Sequence, residues 1–191
     1  MSARPRLMIA GGPNGAGKTT LSRRLIAESG VRYLGADEVA AQMGLGSTGG
    51  DAVRAGRLFL EQIDEAIRAG SSVLVESTLS GLGTSRIIRR FRERAYVVSV
   101  QFVFTGSADE CIQRIRARVR KGGHHVPDDD VRRRFGRAIR NFWDRYRLEA
   151  DRWALYYNGS GGLVPVAFGE HAEAVIVEPD GFRRFAVLRE G

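Results

Sequence analysis

The sequence predicts an α/β chain in three layers, α/β/α, around a five-stranded and mostly parallel sheet. Three observations carry this expectation. A short apolar run, Leu7-Met8-Ile9-Ala10, leads into a glycine-rich stretch that gives way to helix formers at Lys18. Val73-Leu74-Val75 is continuously apolar, as a strand covered on both faces must be. Apolar runs and amphipathic stretches then alternate along the chain, the pattern of parallel strands joined by right-handed helical crossovers.

Taken in order, Leu7–Ala10 is the first strand, and Lys18–Glu28 is a helix that stops at Ser29-Gly30. Val31–Leu34 reads as a second short strand, with Gly35-Ala36-Asp37 at its carboxyl end. From Asp51 to Ala69, Val53, Leu58, Phe59, Ile63, Ala66 and Ile67 fall mostly on one helical face, and Gly70 ends the helix. Ser72–Val75 is the central strand, finishing in Glu76-Ser77-Thr78, and Val97–Phe104 is a longer, β-branched strand. Two Arg-rich helices follow, about 108–121 and 129–148, separated by Gly122-Gly123-His124-His125-Val126-Pro127, which cannot continue a helix. Trp153–Tyr157 is the fifth strand, and Asn158–Gly162 reads as a loop at its end. Val164–Phe168 and Ala174–Val177 pair as a terminal hairpin.

A chain of 191 residues with 43% apolar content accommodates one domain, 1–191, with a lid region at about 106–149 and a hairpin appendage at about 163–191. No stretch approaches the roughly 18 to 20 apolar residues needed to cross a bilayer, and the N-terminal apolar run is too short for a signal peptide, so a cytoplasmic protein without a membrane partner is expected. The one cysteine, Cys111, excludes an intrachain disulfide and a Cys-rich zinc site and reads as a buried spectator. The formal charge is +8, and 28 of the 30 basic residues are Arg, which favours bidentate recognition of phosphate. Eleven of those Arg lie between Arg114 and Arg147, where the aromatic residues do not read as stacking platforms, which weighs against nucleic acid as the partner.

The strongest motif is Gly12-Pro13-Asn14-Gly15-Ala16-Gly17-Lys18-Thr19, followed by Thr20. Its glycines let the backbone wrap phosphate oxygens, and the helix that follows offers free N–H groups and the positive end of its dipole. Lys18 is assigned to the β- and γ-phosphates of ATP and Thr19 to Mg²⁺, which makes the expected architecture that of a P-loop kinase. Phosphoryl transfer to a hydroxyl needs a carboxylate to orient and deprotonate it, and Asp37, after the second strand, is the assigned general base, with a helix N-cap as its structural alternative. Glu76 and Thr78, ending the central strand beside the loop, are placed on the acceptor side or near the Mg²⁺ water shell. Arg114 and Arg118, four residues apart on one helical face, point toward the transferring phosphate, with Arg132, Arg133 and Arg134 on the opposite wall. His124 and His125 are lid residues rather than metal ligands, and Trp143, Tyr146, Trp153 and Tyr157 are core.

These motifs together resemble the zeta toxin family. The resemblance rests on Gly11 to Thr20, Ala36-Asp37-Glu38, Glu76 to Gly81, Gly122 to Pro127 and Arg133-Arg134-Phe135, with Asn141, Ala150 to Trp153 and Tyr157-Asn158 in register. It covers roughly residues 7–160 and is closest to the compact chromosomal members. It implies transfer of the γ-phosphate of ATP to a sugar hydroxyl of UDP-N-acetylglucosamine, and it allows a separately encoded antitoxin as partner. Carried over by position, Lys18 and Thr19 match the nucleotide site, Asp37 the base, Glu76 and Thr78 the substrate side, Arg114 and Arg118 the lid, and Asn158 the loop near adenine. Arg133 and Arg134 are expected to bind substrate. Two other readings share the motifs: a kinase for another hydroxyl acceptor, such as an antibiotic, nucleoside or metabolite, and a nucleotide-switched binding protein with no transfer step.

Overall fold

The computed structural model describes residues 4–35 and 49–191, so Asp37 lies outside the described residues. β1 (Arg6–Gly11) is central in the sheet, and from Leu7 onward every one of its residues is buried. It pairs in parallel with β3 (Val73–Ser77) on one side and β4 (Val97–Phe104) on the other, which is why its run is apolar at successive positions rather than alternating. β2 (Arg32–Leu34) adds in parallel beyond β3, and β5 (Arg152–Gly159) in parallel beyond β4. These are the five parallel strands that the apolar runs predict.

The sheet does not stop there. β6 (Gly162–Gly169) pairs antiparallel with β5, and β7 (Val175–Ile176) pairs antiparallel with β6, giving the order β2-β3-β1-β4-β5-β6-β7. The expected hairpin is present, with Ala167 opposite Ile176, but as an extension of the same sheet. Asn158 to Gly162 is not a loop: Asn158 pairs with Leu163 and Gly159 with Gly162, leaving a two-residue turn at Ser160-Gly161. Pro165 sits opposite Tyr156, next to Val166, the extra residue of β6 where the register shifts, and beyond the reach of short β7, a position where a strand tolerates a missing N–H.

α1 (Lys18–Ser29) follows the glycine-rich loop and ends at Gly30, whose φ of 65° lets its N–H return to the Ile26 carbonyl. α2 (Gly49–Arg68) buries Ile63 and Ala66, whereas Val53, expected on the same face, is exposed. α3 (Gly83–Arg92) was not evident from the sequence; it buries only Thr84, Ile88 and Phe91 and turns a row of Arg to solvent. α4 (Ala108–Val119) is capped by Ser107, whose Oγ accepts from the Glu110 amide. α5 (Asp128–Asn141) runs through a π-helical stretch (Phe142–Tyr146) into a last turn, α6 (Arg147–Glu149). α7 (Pro179–Glu190), also absent from the sequence reading, is capped by the Glu178 carboxylate and buries Phe185. Phe185 meets Phe102, Phe104, Phe142 and Trp143 in an aromatic cluster under β4 and β5. The connections that leave β1 and β4 run in opposite directions across the sheet, so a crevice opens at their carboxyl ends. Among the described residues, no helix is long and apolar enough to cross a membrane.

Candidate active site

The crevice is floored by the loop between β1 and α1. Gly15 adopts φ 81°, and a Cβ there would lie 2.5 Å from the Cys111 carbonyl oxygen of α4. Gly17 adopts φ 108°, and a Cβ there would strike Nδ2 of Asn158. A side chain at either position would be both strained and crowded. The loop is further held by the Ala16 amide donating to the Pro13 carbonyl at 3.2 Å and the Gly12 amide donating to the Ser77 carbonyl at 3.2 Å. Lys18 folds over this loop, its Nζ 3.0 Å from the Pro13 carbonyl. The first-turn amides of α1, which have no intrahelical acceptors, open toward the same space.

The wall opposite is the carboxyl end of β3. Parallel pairing sets Ala10 beside Glu76 and Gly11 beside Ser77, so Glu76 is delivered to the edge of the loop by register alone. Thr19 Oγ1 donates to Glu76 Oε2 at 3.4 Å, while Glu76 Oε1 is buried without a protein partner. Asn14 Oδ1 is likewise buried and unpaired. Buried oxygens with no donor are costly, and both of these belong to residues that line one crevice, which suits a site that takes a cation, a water or a ligand donor. Thr78 Oγ1 and Ser80 Oγ share a hydrogen bond at 2.8 Å just beyond.

The third wall is α4. Arg114 and Arg118, one turn apart, line a cavity of about 370 Å³ together with Asn14, Lys18, Thr19, Glu76 and Thr78. Arg114 Nη2 donates to the Asn158 carbonyl at 2.8 Å, and Arg118 Nη2 to the His124 carbonyl at 2.7 Å. Arg114 also lines a second cavity, of about 450 Å³, with Gln113, Tyr157, Gly159 and Ser160. The two spaces thus share Arg114 as a wall.

Of the sequence-predicted residues, Lys18, Thr19, Thr20, Asn14, Gly15, Gly17, Glu76, Thr78, Arg114 and Arg118 converge on the first cavity. Asn158 holds the loop from outside, its Nδ2 donating to the Ala16 carbonyl at 2.8 Å. Arg133 and Arg134 do not line the cavity; both pair with Asp130 on their own helix, at 2.5 and 2.9 Å, and Arg132 pairs with Asp109. These three pairs hold the Arg side chains against neighbouring acids in place of pointing them at the crevice. Asp37 lies outside the described residues. Tyr33, Gly35 and Ser77, which were not among the assigned site residues, also line the cavity; their placement at the carboxyl ends of β2 and β3 was the available signal. Cys111 is buried against Thr105 at 3.2 Å, and burial pushes its thiol pKa up.

The residues that build this loop, helix and flanking strands fall within 7–139, the part of the chain that matches the AAA domain family. The chain belongs to that family. Among curated proteins, an uncharacterized protein of Haemophilus influenzae is 29% identical over 125 residues, 65% of this chain and 88% of that protein. Among solved structures, one from the PezAT chromosomal toxin-antitoxin system of Streptococcus pneumoniae superposes with a TM-score of 0.67 at 18% identity, covering all of this chain and 89% of its own. The AvrRxo1-ORF1:AvrRxo1-ORF2 complex, solved also with ATP, gives a TM-score of 0.71 at 15% identity; the match covers 96% of this chain and 64% of that one. At these identities the likeness is one of fold, and the AAA domain member described here has the three-layer P-loop kinase architecture that the sequence predicts.

Proposed function

We propose that this chain is an ATP-dependent kinase that phosphorylates a hydroxyl of a small acceptor, with a UDP-sugar such as UDP-N-acetylglucosamine as the leading substrate. The observation that carries the reading is the meeting of a phosphate loop, the half-unsatisfied Glu76 carboxylate and two Arg of α4 around one cavity. A nucleotide seated with its phosphates at Gly15–Thr19 would direct its base toward the second cavity, past Arg114 and alongside Tyr157. Arg114 and Arg118 then face the γ-phosphate, where guanidinium charge stabilises the transferring group.

In the reaction, the acceptor hydroxyl oxygen forms a bond to the γ-phosphorus, the bond from that phosphorus to the β-γ bridging oxygen breaks, and ADP leaves with its electron pair. The hydroxyl proton passes to a carboxylate, a role that the family resemblance gives to Asp37. Lys18 follows the charge on the β- and γ-oxygens, and Thr78 with Ser80 offers hydroxyls to orient the acceptor. The residues present suit Mg²⁺: Thr19 and Glu76 would hold it, with Oε1 of Glu76 buried and waiting for a partner. Such an ion supplies neutralisation of phosphate charge and usually keeps several waters and phosphate oxygens as ligands. Among the described residues no cluster of three His, Cys, Asp or Glu side chains competes for it.

A separately encoded antitoxin belongs to the same reading, supported by the toxin-antitoxin system in which the pneumococcal neighbour occurs, and a cytoplasmic site of action goes with it on the sequence alone. The test is incubation of the purified protein with Mg-ATP and UDP-N-acetylglucosamine, followed by mass spectrometry. A product heavier by one phosphate, absent with Asp37→Ala, is the expected result. No product with ATP binding intact would remove the UDP-sugar and direct the search to other hydroxyl acceptors.

A further inference from the structure

The loop Thr78–Leu82, which joins β3 to α3, carries the acceptor-side hydroxyls and lies beyond the end of the parallel ladder. Its shape is set first by the residues that flank it, Ser77 of β3 and Thr84 of α3. Ser77 Oγ accepts from the Leu79 amide at 3.1 Å and bonds Thr84 Oγ1 at 2.7 Å, and Leu79 is buried with φ 54°, an unusual conformation for a leucine. Two carbonyls of this loop are then taken from outside. Asn141 Nδ2 donates to the Leu79 carbonyl at 2.8 Å, and the Tyr146 hydroxyl donates to the Gly81 carbonyl.

Asn141 and Tyr146 are five residues apart, a spacing that an α-helix would turn about 140° away from one another. The π-helical stretch Phe142–Tyr146 brings them onto one side, with the Arg147 amide reaching the Phe142 carbonyl five residues back. The aromatic core keeps the stretch from rotating. Phe142 stacks on Phe102 with ring centroids 4.4 Å apart, and Trp143 packs edge-on to Trp153. Arg147 lies over the Trp143 ring and donates from Nε to its carbonyl at 2.6 Å.

We propose that Asn141 and Tyr146 are positioning residues of the acceptor site: from one face of the π-helical stretch they clamp Leu79 and Gly81 and so fix Thr78 and Ser80 against the acceptor. The consequence for turnover rests on the kinase reading above, whereas the clamp itself does not. Neither residue lines the cavity, so neither is assigned contact with substrate.

The experiment compares wild type with Tyr146→Phe, which keeps the buried ring, and Asn141→Asp, which keeps the shape and removes the donor. Amide hydrogen exchange over residues 78–82 and steady-state kinetics with ATP and UDP-N-acetylglucosamine are measured on each. The expected result is roughly tenfold faster exchange confined to that loop, with an acceptor KM raised roughly tenfold and an ATP KM within about twofold of wild type. Unchanged loop exchange in both variants would overturn the clamp, as would equal rises in both KM values. If wild type phosphorylates no UDP-sugar, the substrate reading fails alone, and the exchange arm still decides the clamp.

Discussion

Asn158, at the end of β5, donates from Nδ2 to the Ala16 carbonyl at 2.8 Å, while its own carbonyl accepts from Arg114 at 2.8 Å. One strand-end residue therefore ties the phosphate loop to the Arg of α4. Replacing it with alanine removes the side-chain bond, worth about 0.5 to 1.5 kcal/mol, and leaves the loop carbonyl unpaired. Asn158→Ala is expected to weaken ATP binding by up to about tenfold in calorimetry. Gly17→Ala, which drives a Cβ into the same amide at φ 108°, is expected to cost more. Wild-type affinity in Asn158→Ala would mean that the loop holds its shape without this tie.

Glu76 presents a second relationship, between one oxygen bonded to Thr19 and another left buried and unpaired. Glu76→Gln keeps the size and removes the charge that a cation would meet. The expected outcome is a fall in kcat of roughly 10²-fold and a higher Mg²⁺ concentration for half-maximal rate, with Mg-free ATP binding little changed. A kcat loss that no Mg²⁺ concentration alters would place Glu76 on the acceptor alone.

The fold was legible where local chemistry and tertiary demand agree. β1, the phosphate loop and α1 follow from an apolar run, three glycines with positive φ and a Gly30 stop, and each of these signals lies within a few residues of the structure it specifies. α3 was missed because it is only ten residues long: its Arg and apolar residues do segregate to opposite faces, but the buried face shows just Thr84, Ile88 and Phe91, too few positions to stand out in an Arg-rich stretch. The β5–β6 turn was hidden because Asn158-Gly159-Ser160-Gly161-Gly162 has loop composition, while cross-strand pairing decides its conformation. At the site, Arg114 and Arg118 were separable from surface Arg by their spacing on a helix that leaves the crevice. Arg133 and Arg134 were not, because the acid that captures them, Asp130, is one turn away on the same helix and competes with any distant phosphate. Asn141 and Tyr146 needed the π-helical stretch, which α-helical spacing does not foresee.

Asp151, just before β5, joins two elements, β4 and α3: Oδ2 accepts from the Val98 amide at 2.7 Å, and Oδ1 pairs with Arg92 at 2.9 Å. Burial pulls its pKa upward, but the Val98 amide and Arg92 outweigh that and hold the carboxyl below its ordinary value. A depressed folded pKa means a contribution that is present above the unfolded value, about 3.9, and lost as pH falls through the lower folded one. The side chain is 36% exposed, so solvent screening limits the effect, and Asp151→Asn is expected to cost about 1 kcal/mol at pH 7. Chemical denaturation at pH 7 and at about pH 3 checks the sign, since the gap between the two proteins should narrow at the lower pH. A gap independent of pH would assign the loss to packing.

Phe185 tests whether α7 is part of the core or an ornament on it. It is 1% exposed and meets Phe102, Phe104, Phe142 and Trp143. The first two belong to β4, whose carboxyl end helps form the crevice, and the last two to the helix that clamps the loop after β3. Phe185→Ala would leave a cavity at the junction, and a buried Phe→Ala change costs about 3 to 5 kcal/mol. The expected outcome is a single unfolding transition moved to markedly lower denaturant, with the slope preserved. Loss of α7 alone, with the rest of the chain unfolding at its former midpoint, would show instead that the C-terminal helix is an independent unit. Because Phe142 would lose a partner at the start of the π-helical stretch, the same variant should also loosen Thr78–Leu82. Faster exchange there, while the amides of α1 keep their protection, would trace the link from the terminal helix to the acceptor wall.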